Sequence, residues 1–543
     1  MRTNDLLSLV TGFAVCLLLV AGCSDAKKDA ASAGRNGIHY ALAPAAPACS
    51  EPMGVNRSAD STVLSGDAAE FNTESFDVIT ENEFVDSLSN PKSTFSIDVD
   101  TASYSIVRRM INDGRTPMKD AVRIEELVNY FDYQYDGPKD DGHPFSVHTD
   151  LGKCPWDETH QLVRIALKGK AMPKRERPNC NLVFLLDVSG SMNSPRKLPL
   201  VKQAMRMLVE NLQEADRIAI VVYAGASGVV LPSTSASKSD VILAAMDKLE
   251  AGGSTNGGAG INLAYQIAAK NFIEDGINRV VLCTDGDFNV GNTGRGSLKD
   301  QVAAKARANI SLSVLGFGAG NLKDDMMETL ADRGDGNYAY IDSQLEARKA
   351  LVEQINGTLI TIAKDVKIQI DFNPARVGAY RLIGYENRML KNEDFADDKK
   401  DAGEIGAGHT VTALYEIVPA GEDSPARVDS GSEFVETKLK ADASSSDTVL
   451  KVHLRYKLPK ETESETFSVA LDRKASDPVE MPSGDFQFAA SVAAYGMLLR
   501  DSKFKGDVDW DWVVQSAKSS LGEDRNGYRS EFVKLARQAS VMN

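Results

Sequence analysis

Asn181-Leu182-Val183-Phe184-Leu185-Leu186-Asp187-Val188-Ser189-Gly190-Ser191 is the stretch on which the reading of this chain turns. Its apolar run, 182–186, carries no polar alternation, as expected of a strand buried on both faces of a sheet. Leu198, Val201, Met205, Leu208 and Leu212 follow at helical spacing. Beyond them the pattern predicts strands over 217–223 and 229–231 and a helix over 238–249. Ile261, Tyr265, Ala268 and Phe272 mark another helix, and 279–284 is a further buried strand. The segments 298–308, 312–316, 324–331 and 338–341 continue the alternation. Strand and helix in strict succession predict an α/β domain over 179–355, with a doubly wound, mostly parallel sheet.

Sheets of this kind bind ligands in the crevice beyond the carboxyl ends of their strands. Asp187 stands at that end of the first strand, and Ser189 and Ser191 follow on alternate residues. Thr255 lies in the glycine-rich turn 252–257, and Asp285 ends another buried strand in Cys283-Thr284-Asp285-Gly286-Asp287. Three separate loops therefore bring hard oxygen donors to one rim. Such donors suit Mg²⁺, Ca²⁺ or Mn²⁺, and Mg²⁺ usually retains waters and exchangeable positions. The plainer reading of Asp187–Ser191 alone is a helix N-cap with a serine pair.

The five residues together resemble the metal-ion-dependent adhesion site of von Willebrand factor type A domains. The resemblance implies a Rossmann-like fold in which Ser189, Ser191 and Thr255 offer hydroxyls to one divalent ion, Mg²⁺ foremost. Asp187 and Asp285 would hold it largely through water, with Asp287 a further acid behind them. It also implies a protein ligand presenting Asp or Glu, and binding rather than catalysis. Some type A proteins work beside an ATPase. A metal-independent scaffold or accessory subunit of an envelope complex is therefore the second reading. The likeness extends outward. Phe95-Ser96-Ile97-Asp98-Val99-Asp100-Thr101-Ala102-Ser103-Tyr104, and the segment from Arg123-Ile124-Glu125-Glu126 to Tyr130-Phe131-Asp132-Tyr133, resemble the region before the A domain in bacterial YfbK-type lipoproteins. The tail from about residue 360 is similar to the domain that follows it there, so the resemblance covers 75–543.

The flanks read as an N-terminal α+β region over 75–178 and a C-terminal β-rich domain over 360–543. Helices are expected over 103–112 and 121–130, and strands over 145–151 and 161–167. Val366, Ile368, Ile370 and Phe372 alternate with polar residues, as do Val411 to Ile417, Leu450 to Tyr456 and Phe467 to Leu471. These are expected to be half-buried antiparallel strands. Each set needs partners, so the strands of both flanks are expected to form one β-sandwich into which the A domain is inserted. Three helices, 486–499, 508–517 and 529–539, close the chain.

Residues 1–22 read as an export signal, apolar but short for a membrane span. It ends in Val20-Ala21-Gly22-Cys23, which resembles a bacterial lipobox with Cys23 as the lipidated residue. Residues 23–74 are poor in aromatic side chains and read as a tether. The expected location is the cell envelope, with lipid anchorage in the outer membrane if the host has two. The net charge of −16 argues against nucleic acid as a partner. Cys154 and Cys180 could pair in an oxidising compartment, and sequence leaves that open.

Catalytic motifs are weak. Asp98-Val99-Asp100-Thr101-Ala102 departs from an aspartyl-nucleophile loop at Ala102, and helices follow it. Gly316-Phe317-Gly318-Ala319-Gly320 has its third glycine one residue early for a dinucleotide fingerprint and reads as a turn needing positive φ. None of the six histidines falls within 179–355, so Ser189 lacks a base there. Trp510 and Trp512 read as packing residues.

Overall fold

The structure is a computed structural model and describes residues 74–542, apart from 98–99, 140–141, 254–256, 287–294, 320–321, 401 and 427–437. The expectations for the export signal, Cys23, Thr255 and Asp287 lie outside the described residues.

The A-domain sheet has six strands, in the order Tyr338–Ile341, Ser311–Phe317, Ile277–Thr284, Cys180–Asp187, Arg217–Tyr223 and Ser227–Ser235. The first five run parallel, and only the last, paired in a hairpin, is antiparallel. All eight residues of Cys180–Asp187 are buried. Leu182, Phe184 and Leu186 pack toward the helix Leu198–Val209, while Val183 and Leu185 pack toward Gly257–Lys270 on the other face. The chain proceeds from Cys180–Asp187 to Arg217–Tyr223 on one side and later to Ile277–Thr284 on the other. The strand that carries Asp187 is therefore the switch point of the sheet, where a crevice opens.

Two antiparallel sheets form the sandwich. One runs Val85–Asp86, Val377–Ile383, Thr410–Pro419, Gln161–Gly169, Phe145–Lys153. The other runs Met389–Leu390, Lys92–Ser96, Thr361–Phe372, Thr448–Lys457, Ser464–Asp472. Val163, Ile165 and Leu167 of the first meet Ile368, Ile370 and Phe372 of the second in one core. The sandwich is thus not the property of the C-terminal region, because each sheet mixes strands from both flanks. The A domain leaves and re-enters it at neighbouring points: Gly408 N–H donates to the Lys170 carbonyl at 3.0 Å, and Ala407 N–H to that of Ile360 at 2.8 Å.

The strand Thr410–Pro419 departs from the half-buried expectation. Thr412, Leu414 and Glu416 are buried as well as the alternating apolar set. The cause is a helical layer, Ile124–Asn129, Asp485–Arg500, Trp510–Ser519 and Tyr528–Met542, whose core takes in Leu162, Ile383 and Leu414 from the outer face of that sheet. The buried polar side chains of the strand, Thr412 and Glu416, lie within hydrogen-bonded sets. Glu416 accepts from Arg381 Nη2 at 2.6 Å and lies 2.6 Å from His160 Nδ1, and Asn129 Oδ1 accepts from Thr412 N–H at 2.7 Å. Asp485–Arg500 is buried almost all round, as befits a helix at the centre of a bundle. Trp510 and Trp512 are half-buried against the same core. Cys154 and Cys180 are free, buried thiols in separate cores, so they do not pair.

The N-terminal helix Ala102–Asn112 is not an appendage. Ala102, Ile106 and Met110 join the A-domain core beside Val314 and Tyr338. Asp100 Oδ1 accepts the Tyr338 N–H at 3.1 Å, which gives this acid a capping role.

Candidate metal centre

The rim is built from strand ends. Asp187 is the last residue of its strand, in register with Tyr223, and Asp285 directly follows Ile277–Thr284. Both carboxylates are 1% exposed. The loop between Asp187 and Ser191 is fixed from three sides. Asp187 Oδ1 accepts the Ser189 N–H at 2.8 Å, Val188 N–H reaches the Tyr223 carbonyl at 3.1 Å, and Gly190 N–H reaches the Gly253 carbonyl at 3.1 Å. Gly252 N–H returns a bond to Val188 at 2.7 Å, so the glycine-rich turn that leads to Thr255 is tied to the serine loop. Gly253 has φ +87°, a conformation that favours glycine. Met192 is fully buried beneath the loop and anchors it.

Ser189 Oγ and Ser191 Oγ lie 3.0 Å apart, the first buried and the second exposed. Asp187 Oδ2 is buried and makes no well-formed hydrogen bond among the described residues, although the Tyr223 hydroxyl neighbours this carboxylate. Burial pushes the Asp187 carboxyl up to about 6, hydrogen bonds from Ser189 pull it back, and the Asp285 charge adds to the rise. A buried carboxylate oxygen beside two hydroxyls is a donor set that fits a hard divalent cation. The structure therefore brings together Asp187, Ser189, Ser191 and Asp285 from the sequence-predicted set. Among the described residues no group of three or more His, Cys, Asp or Glu side chains is arranged to hold a metal ion.

Two residues at this rim were not anticipated. Lys197 Nζ donates to Asp285 Oδ2 at 2.9 Å, and its side chain is 10% exposed. Tyr223 is buried at the next strand end, and burial together with the neighbouring Asp187 charge raises its hydroxyl well above its ordinary value. The glycine-rich segment after Ser311–Phe317 also belongs here. Gly318 adopts φ +83°, and Tyr340 Oη donates to its carbonyl.

The comparisons with known proteins follow the same division. The von Willebrand factor type A domain model matches residues 181–357. A model described as von Willebrand factor matches 70–164, and one described as uncharacterized protein YfbK, C-terminal, matches 357–542. The parallel sheet and these matches define an α/β protein carrying a von Willebrand factor type A domain. The chain is 45% identical over 453 residues to the uncharacterized protein YfbK of Escherichia coli (strain K12), covering 82% of this chain and 77% of that one. It belongs to the YfbK family.

More distant similarity is confined to shorter stretches. An uncharacterized Synechocystis protein is 31% identical over 189 residues, 35% of this chain and 44% of that protein. Human inter-alpha-trypsin inhibitor heavy chain H3 is 26% identical over 199 residues, 33% of this chain and 21% of that one. Among solved structures, von Willebrand factor type A from Catenulispora acidiphila aligns with TM-score 0.40 at 14% identity, over 74% of this chain and 91% of that chain.

Proposed function

We propose that this protein is a lipid-anchored binding protein of the cell envelope that captures an acidic side chain of a protein partner through one divalent metal. Buried Asp187 Oδ2, which makes no well-formed hydrogen bond among the described residues although the Tyr223 hydroxyl neighbours the carboxylate, and which stands beside the Ser189–Ser191 hydroxyl pair, is the observation that carries this reading. Ser189 and Ser191 would offer neutral oxygens to an ion directly, and with Asp187 and Asp285 acting largely through water the charge at the ion would be only partly quenched by its immediate donors. A bound Mg²⁺ would supply a coordination position for a partner carboxylate. Thr255 is assigned to the same set from the sequence, by its match to the motif the chain resembles. Anchorage is assigned to Cys23 from its lipobox-like context.

One observation favours the second reading, a scaffold that works without metal: the ammonium of Lys197 already sits on Asp285. Calorimetric titration with Mg²⁺ separates the two. Metal capture predicts saturable binding by the wild type and none by Asp187→Ala, together with partner retention that chelator and Asp285→Ala both abolish. A scaffold predicts no heat of binding and partner retention indifferent to chelator. Anchorage is tested separately: Cys23→Ala moves the protein from the membrane fraction to the soluble one, and an unchanged distribution contradicts it.

A further inference from the structure

Lys197 stands where helix electrostatics would not place a cation. It is the N-cap residue of Leu198–Val209, at φ −118° and ψ −115°, and its side chain makes no capping bond. The amino end of a helix carries partial positive charge and disfavours a neighbouring ammonium. Lys197 is nevertheless drawn inward, 8% exposed, onto a carboxylate that is itself 1% exposed.

The side chain is held in that position along its length. Its stem crosses Gly318, where an added Cβ would lie 2.3 Å from Lys197 Cε and 2.6 Å from Cγ. The Gly318 loop is fixed in turn by the Tyr340 hydroxyl bonded to its carbonyl. The lysine therefore lies in a fitted channel and is not a surface chain swinging free. A buried ammonium needs a buried anion, and Asp285 provides it. Of the two carboxylates at the rim, Asp285 thus carries a resident cation, while the buried Asp187 has only hydroxyl and amide neighbours among the interactions described, Ser189 and Tyr223.

We propose that Lys197 is a built-in counter-cation that sets the divalent-metal affinity of this rim, holding Asp285 in the metal-free protein and competing with an incoming ion for that carboxylate. The proposal rests on the metal reading given above. Binding is then an exchange: the ion must outcompete a tethered ammonium whose local concentration is fixed by the fold. Occupancy consequently requires a higher metal concentration than the oxygen donors alone would demand. The competition also keeps the metal-free rim from leaving two buried carboxylates uncompensated.

The test is a Mg²⁺ titration by calorimetry of the full chain, with the melting midpoint of the metal-free protein as a second readout. Lys197→Met retains most of the stem and removes the charge; Lys197→Gln is the second variant, and Lys197→Arg keeps the cation. The expected result is that Lys197→Met and Lys197→Gln bind Mg²⁺ about tenfold more tightly than wild type. Both should also melt lower without metal and regain stability when Mg²⁺ is added, whereas Lys197→Arg stays near wild type. Binding by the neutral variants alone would sustain the role of Lys197 and overturn the metal reading of the wild-type protein. Equal affinities in wild type and both neutral variants would overturn the role of Lys197 and leave the metal reading standing. No binding by any form would overturn the metal reading and this inference with it.

Discussion

At Asp187 the proposed metal capture is coupled to pH through a single side chain. Its carboxyl is raised to about 6, chiefly by burial, against an ordinary value of 3.8. In the metal-free protein it holds a proton between these values while the unfolded chain does not. Its contribution to stability is therefore full below pH 3.8 and lost as pH rises through about 6. A divalent ion requires the ionised form, so binding below about pH 6 must expel that proton. Mg²⁺ affinity measured by calorimetry is predicted to be flat above neutrality and to fall by up to about tenfold per pH unit below 6, with Asp187→Ala showing no binding at any pH. An affinity constant between pH 5 and 8 would contradict it. At this scale the sequence was informative where chemistry is contiguous. Asp187, Ser189 and Ser191 share one loop, and Asp285 ends an unmistakable buried strand. Lys197 was missed because a lysine after a proline-arginine pair looks like surface. The signal available was electrostatic: a cation opening a helix, against the dipole, implies a partner elsewhere.

Elements carry the family's flanking motifs. The segment beginning Arg123-Ile124-Glu125-Glu126 forms the helix Ile124–Asn129, and its charged residues reach into the A domain. Arg123 Nη1 bonds Asp324 at 2.8 Å and Glu126 at 3.2 Å, and Nη2 reaches Glu328 at 3.2 Å, which ties the sandwich flank to the A-domain helix Asp324–Arg333. Arg108 likewise bonds Asp342 and Glu346 of the A domain and Glu531 of the last helix, the latter two at 2.8 and 3.0 Å. Removing one partner of such a buried set leaves charges uncompensated. Arg123→Ala is predicted to cost ~3–5 kcal/mol in urea unfolding. Arg196→Ala, which breaks an ion pair on Asp113 with the arginine side chain 52% exposed, should cost under about 1 kcal/mol. Comparable losses for the two would refute this ranking. The sequence pattern located the six longer sandwich strands and missed Val85–Asp86, Lys92–Ser96, Val377–Ile383 and Met389–Leu390. It did not reveal that Thr410–Pro419 is covered on both faces, because its second face is closed by Thr412 and Glu416, polar residues that pair only in the folded chain.

At the scale of the molecule, the sandwich is discontinuous and the A domain is an insertion within it. Lys92–Ser96 pairs with Thr361–Phe372, and Gln161–Gly169 pairs with Thr410–Pro419. The parallel A-domain sheet was legible from local strand–helix rhythm, and the need of both flanks for partners pointed to a shared sandwich. The order of strands was not legible, since nothing local encodes which of many similar alternating strands become neighbours. A fragment spanning 74–357 retains the whole A domain but strips three sandwich strands of a partner, leaving only the Phe145–Lys153 and Gln161–Gly169 pair intact. It is predicted to be insoluble or to lack a cooperative melt, whereas the chain from residue 74 to its end folds. A soluble, monomeric fragment with a sharp transition by circular dichroism would contradict the interleaved architecture.

The most direct measurement is a crystal structure of the protein soaked in Mn²⁺, with anomalous differences recorded at the manganese edge. The predicted result is one strong peak beside the Ser189 and Ser191 hydroxyls, with Lys197 drawn off Asp285. A map with no peak at that rim, and the lysine still bonded to Asp285, would contradict the account at its centre.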